Sequence, residues 1–198
     1  MSDDLATPTT SKPRVSRNDW IIASIDALGE VGVKGIKVVV VAKKMGVTSG
    51  SFYWHFDNLK DLLDAVLDHW EHHLTDHIIK DATDFKGDGD QRILNLMKQV
   101  LLEGASEHDH AISIWGRTDP KVKEVYDRTL TRRFEFAKWM FEQAGFAPDI
   151  ARARGRLMVA YLMGESTSSL RHQEDWEAII EEQFELILGR ERSTARPK

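Results

Sequence analysis

From residue 14 to residue 119 the chain contains no proline; its five prolines stand at 8, 13, 120, 148 and 197. Proline breaks helices because it lacks a backbone N–H and its ring clashes with the preceding turn. More than half of the chain therefore has no obligatory helix breaker, and its apolar residues recur at helical spacing. Ser16, with Asp19 three residues on, is a variant capping box for a first helix. Ile21, Ile25 and Leu28 form one face of that helix, which should stop within Gly29–Gly35. A second helix, Ile36 to Met45, ends at Gly46, a good residue for a left-handed cap. Thr48 caps a short helix through His55, and Asp57 or Asn58 caps a long one from Leu59 to about Asp81. Gly87 and Gly89 mark a loop. A stripe of Ile93, Leu94, Leu96, Met97, Val100 and Leu101 follows, and Ser106 to Trp115 is a short helix. Asp119-Pro120 starts a helix running to Gly145, and Pro148 starts another to about Leu170. Trp176, Ile179, Ile180, Gln183, Phe184 and Ile187 make a last helix, stopped by Gly189. Val38–Val41 has strand propensity. It is only four residues long, its flanks are helical and it has no second strand to pair with, so we read it as helix. The expectation is an all-α chain with an N-terminal three-helix head and a larger helical body.

With 198 residues the chain is long enough to bury a real core. It has no cysteine, which excludes disulfides, thiol nucleophiles and Cys-based metal centres and fits a reducing cytoplasm. No apolar run approaches the roughly 20 residues of a membrane span, and the polar, acidic start is unlike a signal peptide. A cytoplasmic protein without membrane contact is expected. There is no G-x-S-x-G, P-loop, H-E-x-x-H or dinucleotide fingerprint, so no enzyme activity and no cofactor are expected. His108 and His110, beside Glu107 and Asp109, lie in a polar stretch and read as solvated.

Residues 36–63, IKVVVVAKKMGVTSGSFYWHFDNLKDLL, have the spacing of a helix-turn-helix, whose second helix enters the DNA major groove. Ala42 is small enough for close helix approach, Gly46 makes the turn, and Val47 plugs the gap between the helices. Phe52 and Phe56 share an inward face. The opposite face offers Thr48, Ser49, Ser51, Tyr53, Trp54 and His55, whose hydroxyl, indole and imidazole groups bond phosphates or base edges. Lys37, Lys43, Lys44 and Lys60 surround that face.

The turn Ala42–Val47, the run Thr48-Ser49-Gly50-Ser51-Phe52-Tyr53-Trp54-His55-Phe56, Gly35, Leu62-Leu63 and the first helix ending ALGEVG resemble the DNA-binding domain of TetR-family transcriptional repressors, over about residues 17–66. The resemblance places phosphate and base contacts on Lys37, Thr48, Ser49, Tyr53, Trp54 and His55. A small hydroxyl residue is common in the family where Lys37 stands, and a basic residue where Leu59 stands; Lys60 offers a cation one position later. The implied organisation is a flexible arm over 1–15, a DNA-binding domain over 16–62, a ligand-binding and dimerisation domain over 63–189, and a flexible tail over 190–198.

The resemblance also implies a homodimer and an inducer pocket in the body. Leu157, Ala160, Tyr161 and Gly164 share one helical face, and Trp176, Ile180, Phe184 and Ile187 another. Two such helices per subunit would form a four-helix bundle, or these faces bury against their own chain. Trp70, His73, Met97, Leu101, Trp115, Tyr126, Met140, Met158 and Tyr161 are candidate pocket residues beside their plainer reading as core. Their aromatic and Met content favours an apolar or flat aromatic effector. His69, His73 and His77 recur every four residues. Imidazoles at that spacing bind zinc or nickel, but a partly solvated stripe is the plainer reading, and no metal is assigned.

The net charge of −5 argues against a nucleic-acid binder until it is divided along the chain. Residues 1–62 carry 8 basic and 7 acidic side chains, or +1, and residues 63–198 carry 19 and 25, or −6. Residues 11–60 carry 8 and 4, or +4. The head is thus modestly basic and the body acidic. The reading that follows is a dimeric repressor of a palindromic DNA operator, released by a small-molecule effector. The alternative is a helical small-molecule-binding protein with a vestigial helix-turn-helix.

Overall fold

The computed structural model describes residues 15–104, 106–168 and 175–189, and every regular element among them is helical. Helix α1 spans Arg17–Gly35, α2 Val38–Met45, and a 3₁₀ helix Ser49–Trp54. Helix α3, Leu59–Asp68, passes without a break through a π turn, His69–Leu74, into α4, Thr75–Asp84. The body continues with α5 (Gly89–Leu102), α6 (Asp109–Gly116), α7 (Pro120–Gln143), α8 (Pro148–Glu165) and α9 (Trp176–Leu188). The expected arm over 1–15, except its last residue, the tail over 190–198 and the proposed helix end at Leu170 lie outside the described residues.

The caps explain most boundaries. Ser16 Oγ accepts the Asp19 N–H, and the Asp19 carboxylate accepts the Ser16 N–H at 2.7 Å. The Ser16 N–H and the Ser16 hydroxyl, which donates to the same carboxylate at 2.8 Å, hold the Asp19 carboxyl below its usual pKa. Helix α1 kinks at Gly32, whose φ of +64° suits glycine, before ending at Gly35. Of the two candidate caps for α3 it is Asn58 that accepts, from the Asp61 N–H at 3.1 Å. Thr48 stands at the N-cap position of the 3₁₀ helix without a side-chain cap bond. Asp88 and Gln91 make a second capping box, for α5. The four valines are helical: Val41 is buried while Val39 faces out, so packing overrides their strand propensity.

Two apolar clusters form the core. The first joins α1, α2 and the 3₁₀ helix to α3, Trp70, and then Ile112, Trp115, Val122 and Val125 of α6 and α7. The second fills the body between α5, α7, α8 and α9. Helices α7 and α8 form an antiparallel hairpin, α9 lies on α5 and α8, and α6 packs on both α1 and α7. Among the described residues no helix is long and apolar enough to cross a membrane.

The α7–α8 contact is close because Gly155 has no side chain. A Cβ there would lie 2.8 Å from the Lys138 backbone nitrogen and 3.0 Å from the Ala137 carbonyl carbon. Gly155→Ala is therefore expected to destabilise the protein by about 1–3 kcal/mol, read from urea unfolding. Gly29→Ala, which adds a methyl group in open space within helix α1, should be neutral or slightly stabilising.

Candidate nucleic-acid interface

The turn after α2 is built by backbone bonds that only a left-handed residue permits. Gly46 has φ +67°; its N–H donates to Lys43 O at 3.2 Å, and the Val47 N–H reaches back to Ala42 O at 3.0 Å. Ala42 is buried, and Val47 packs against the head core. Phe52 anchors the following 3₁₀ helix. It is fully buried, meets Trp20 edge-on at 5.4 Å, and stacks on Phe56 at 5.4 Å. The Arg17 guanidinium lies 4.6 Å from the Phe56 ring centre.

With Phe52 pinned inward, its neighbours must point out. Tyr53 is 68% exposed and Trp54 81% exposed, although both are large aromatics. Thr48 is exposed beside them, and Ser49, Ser51 and His55 are half-buried on the same segment. The Ser51 hydroxyl donates to Thr48 O at 2.9 Å. Lys37 stands exposed at the start of α2. Neither Lys37 nor Lys43 is paired with a carboxylate among the described residues, whereas Lys44 pairs with Glu30 at 2.7 Å and Lys60 with Asp64 at 2.6 Å. Lys121 shares Asp64 at 2.9 Å. Leu59 packs against the head core, so only Lys60 offers a cation at the start of α3, and that cation is held along its own helix.

Below the head lies a polar junction that the spacing of residues did not signal. In the polar stretch where His108 and His110 read as solvated, His110 is exposed and His108 half-buried, but Asp109 between them is buried. Its carboxylate accepts the Trp70 indole N–H at 2.7 Å and is bridged by both terminal nitrogens of Arg133. Arg133 also donates to Thr75 Oγ1 at 3.0 Å, and the Thr75 hydroxyl lies 3.4 Å from Trp70 O across the π turn. Buried Glu71 is bridged by Arg128 through two bonds of 2.6 Å. These charges sit far apart in sequence, 24 residues for Asp109–Arg133 and 57 for Glu71–Arg128, which is why no local pattern revealed them.

His69 and His73 stack at 4.9 Å, while His77, beyond the π turn, lies 3.3 Å from Asp81. Among the described residues no three His or acidic side chains are placed to hold a metal. Burial, with the neighbouring His73 and His108, holds His69 below the usual imidazole range, and Asp68 opposes this weakly.

A cavity of about 60 Å³ lies between α4, α5, α7 and α8. Of the nine candidate pocket residues, Met158 lines it. Trp70, Met97, Leu101, Trp115 and Met140 are buried core, Tyr126 stacks on Trp70 at 5.8 Å, and Tyr161 is half-buried. Burial pushes the Tyr161 phenol up to about 12. His73 is exposed, in a depression with Arg17 and His69. The pocket is smaller than the aromatic inventory suggested because those rings fill space inside the two cores. The candidate dimer residues also divide: Trp176, Ile180, Phe184 and Ile187 are consumed by this chain's own body core. On the same two helices Leu157 is 56% and Leu186 71% exposed, and Gly164 is exposed.

Removing Arg133 would strand the Asp109 charge. Arg133→Met is expected to cost about 3–5 kcal/mol in urea unfolding. For His69 the depressed pKa means that the unfolded chain binds the proton more readily. Its contribution is complete above the ordinary pKa of about 6.5 and is lost as the pH falls below it. Melting temperature should drop between about pH 7 and pH 5, and less steeply in His69→Gln. The groups around that imidazole are His73, Asp68 and Arg17, with His108 and its partner Asp26 across α6 and α1.

Residues 21–66 match the model of the bacterial regulatory proteins of the tetR family. The class A tetracycline repressor protein from transposon 1721 of Escherichia coli is 42% identical over 53 residues, which are 27% of this chain and 24% of that protein. The HTH-type transcriptional regulator TtgR of Pseudomonas putida is 31% identical over 99 residues, 50% of this chain and 45% of TtgR. The matches thus span a quarter to under half of these relatives. Among solved structures, a transcriptional regulator from Rhodococcus sp. Rha1 superposes over 88% of this chain and 97% of its own, with TM-score 0.67 and 23% identity. FadR from Bacillus subtilis, in complex with stearoyl-CoA, superposes over 87% and 98%, with TM-score 0.62 and 15% identity. Those likenesses show a shared fold, and the head shows more: a DNA-binding helix-turn-helix of recognisable sequence. Residues 21–66 thus carry the DNA-binding domain of the tetR family of bacterial regulatory proteins.

Proposed function

We propose that the protein is a homodimeric transcriptional repressor that binds a palindromic operator and is released by a small-molecule effector of apolar character. The observation that carries this reading is the exposure of Tyr53 and Trp54 on a helix whose other face is locked by Phe52. Leaving an indole and a phenol ring in water has no folding benefit, and their position on the second helix of the motif is that of groove contacts. Thr48, Ser49, Ser51 and His55 add hydrogen-bonding groups on the same segment, and Lys37 and Lys43 add positive charge for phosphates.

Leu157 and Leu186 support a self-complementary surface on α8 and α9, in place of the α9 residues that the body core absorbs. The cavity between α4, α5, α7 and α8 supports an effector site, as does the stearoyl-CoA held by a protein of the same fold. An effector acts only if it binds the DNA-incompetent arrangement more tightly than the competent one.

Mobility-shift titration with the DNA flanking the protein's own gene tests the reading. Sequence-specific, salt-sensitive binding is expected, with a shallow salt slope because Lys44 and Lys60 are engaged within the chain. Tyr53→Ala and Trp54→Ala should each weaken it by about tenfold or more at unchanged helix content. Absence of specific binding under every ligand condition would favour the helical small-molecule-binding protein with a vestigial head. Leu157→Glu and Leu186→Glu should shift sedimentation from dimer to monomer; an intact dimer would reject that face.

A further inference from the structure

Within the proposed effector site, and resting on that reading, we propose that the pocket takes an uncharged, mainly apolar molecule carrying one hydrogen-bonding oxygen, and that Ser106 binds that oxygen. Side chains such as Leu96, Val100, Phe136 and Met158 form most of the wall, and they offer only apolar contact. Ser106 also lines it; its Oγ is buried and has no hydrogen-bond partner among the described residues. A buried hydroxyl without a partner is costly, and a ligand oxygen that reaches it removes that cost.

The remaining polar wall decides the charge. Arg133 is the sole cation among the lining residues, and it is already closed by Asp109 through both terminal nitrogens and by Thr75. Asp109 is filled in turn by Arg133 and the Trp70 indole. Its N–H donates to Ser106 O at 3.0 Å, so the free hydroxyl and the closed ion pair occupy one end of the cavity. A carboxylate entering there meets Asp109, and an ammonium meets Arg133, each with little water to screen it. Neither gains an unpaired counter-charge. A neutral oxygen gains the Ser106 bond without disturbing the pair. At about 60 Å³ the cavity is small, so a short chain is the appropriate probe.

Full-length protein titrated with hexan-1-ol, hexane, hexanoate and hexylammonium, by calorimetry and by thermal shift, tests the proposal. Hexan-1-ol should bind about tenfold more tightly than hexane, the contribution of one good hydrogen bond, and more tightly than either ion. Ser106→Ala should remove the preference for the alcohol while leaving hexane binding unchanged. Met158→Trp, which fills the cavity from the α8 side, should weaken all binding. The proposal is overturned if hexan-1-ol does not bind, if hexanoate or hexylammonium binds more tightly than it, if Ser106→Ala keeps the preference, or if Met158→Trp leaves the affinity intact. Hexan-1-ol bound with the expected preferences but without effect on operator affinity would instead reject effector release and leave the pocket's chemistry standing.

Discussion

The ion pair between Asp109 and Arg133, capped by the Trp70 indole, is the interaction on which the arrangement of head and body rests. Asp109 opens α6, Arg133 lies in the middle of α7, and Trp70 belongs to the π turn that continues the last helix of the head. A buried charge is tolerable only when its partners are in place, so these three elements must meet in one geometry. Helix α6 also packs on α1, and the head core extends through Ile112 and Trp115 into the body. The recognition helix is therefore coupled to the body through a continuous packed path. The cavity opens onto that same ion pair, so a ligand bound as proposed would lie beside the residues that fix the head.

The recognition surface obeys a different logic. One fully buried ring, Phe52, sets the orientation of the whole 3₁₀ helix, and the exposure of Tyr53 and Trp54 follows from it. Electrostatics contributes less than a count of lysines suggests. Lys44 and Lys60 are held by Glu30 and Asp64, so Lys37 and Lys43 remain as the nearby cations without a carboxylate partner among the described residues. In the proposed operator complex, specificity would then lean on shape and hydrogen bonding more than on charge.

Much of this was legible in the sequence because it is local. Ser16 with Asp19, Asp119 with Pro120, and Gly46 and Gly189 act within one turn of where they stand, and the helix boundaries follow them. The turn and aromatic run at 42–56 was legible for the same reason. What was hidden depends on distant partners. Asp109 looks solvated until Arg133 and Trp70 are brought to it. Trp176 and Phe184 look like partner contacts until α5 and α8 are seen to cover them. Ser106 carries no local mark at all; its importance comes from the wall of the cavity opposite.

The π turn at His69–Leu74 gives the long connecting helix a phase as well as a length. A π turn holds one residue more than an α turn, and each residue of an α-helix turns the chain by about 100°. The side chains of α4 are accordingly out of step with where an unbroken α-helix from α3 would put them. The head is thus mounted at an azimuth that an unbroken α-helix of the same residue count would not give. Straightening this turn into α-helix at unchanged length would swing the head by about 100°, whereas removing a single residue from it would restore helical regularity at nearly the same azimuth and shorten the rod instead.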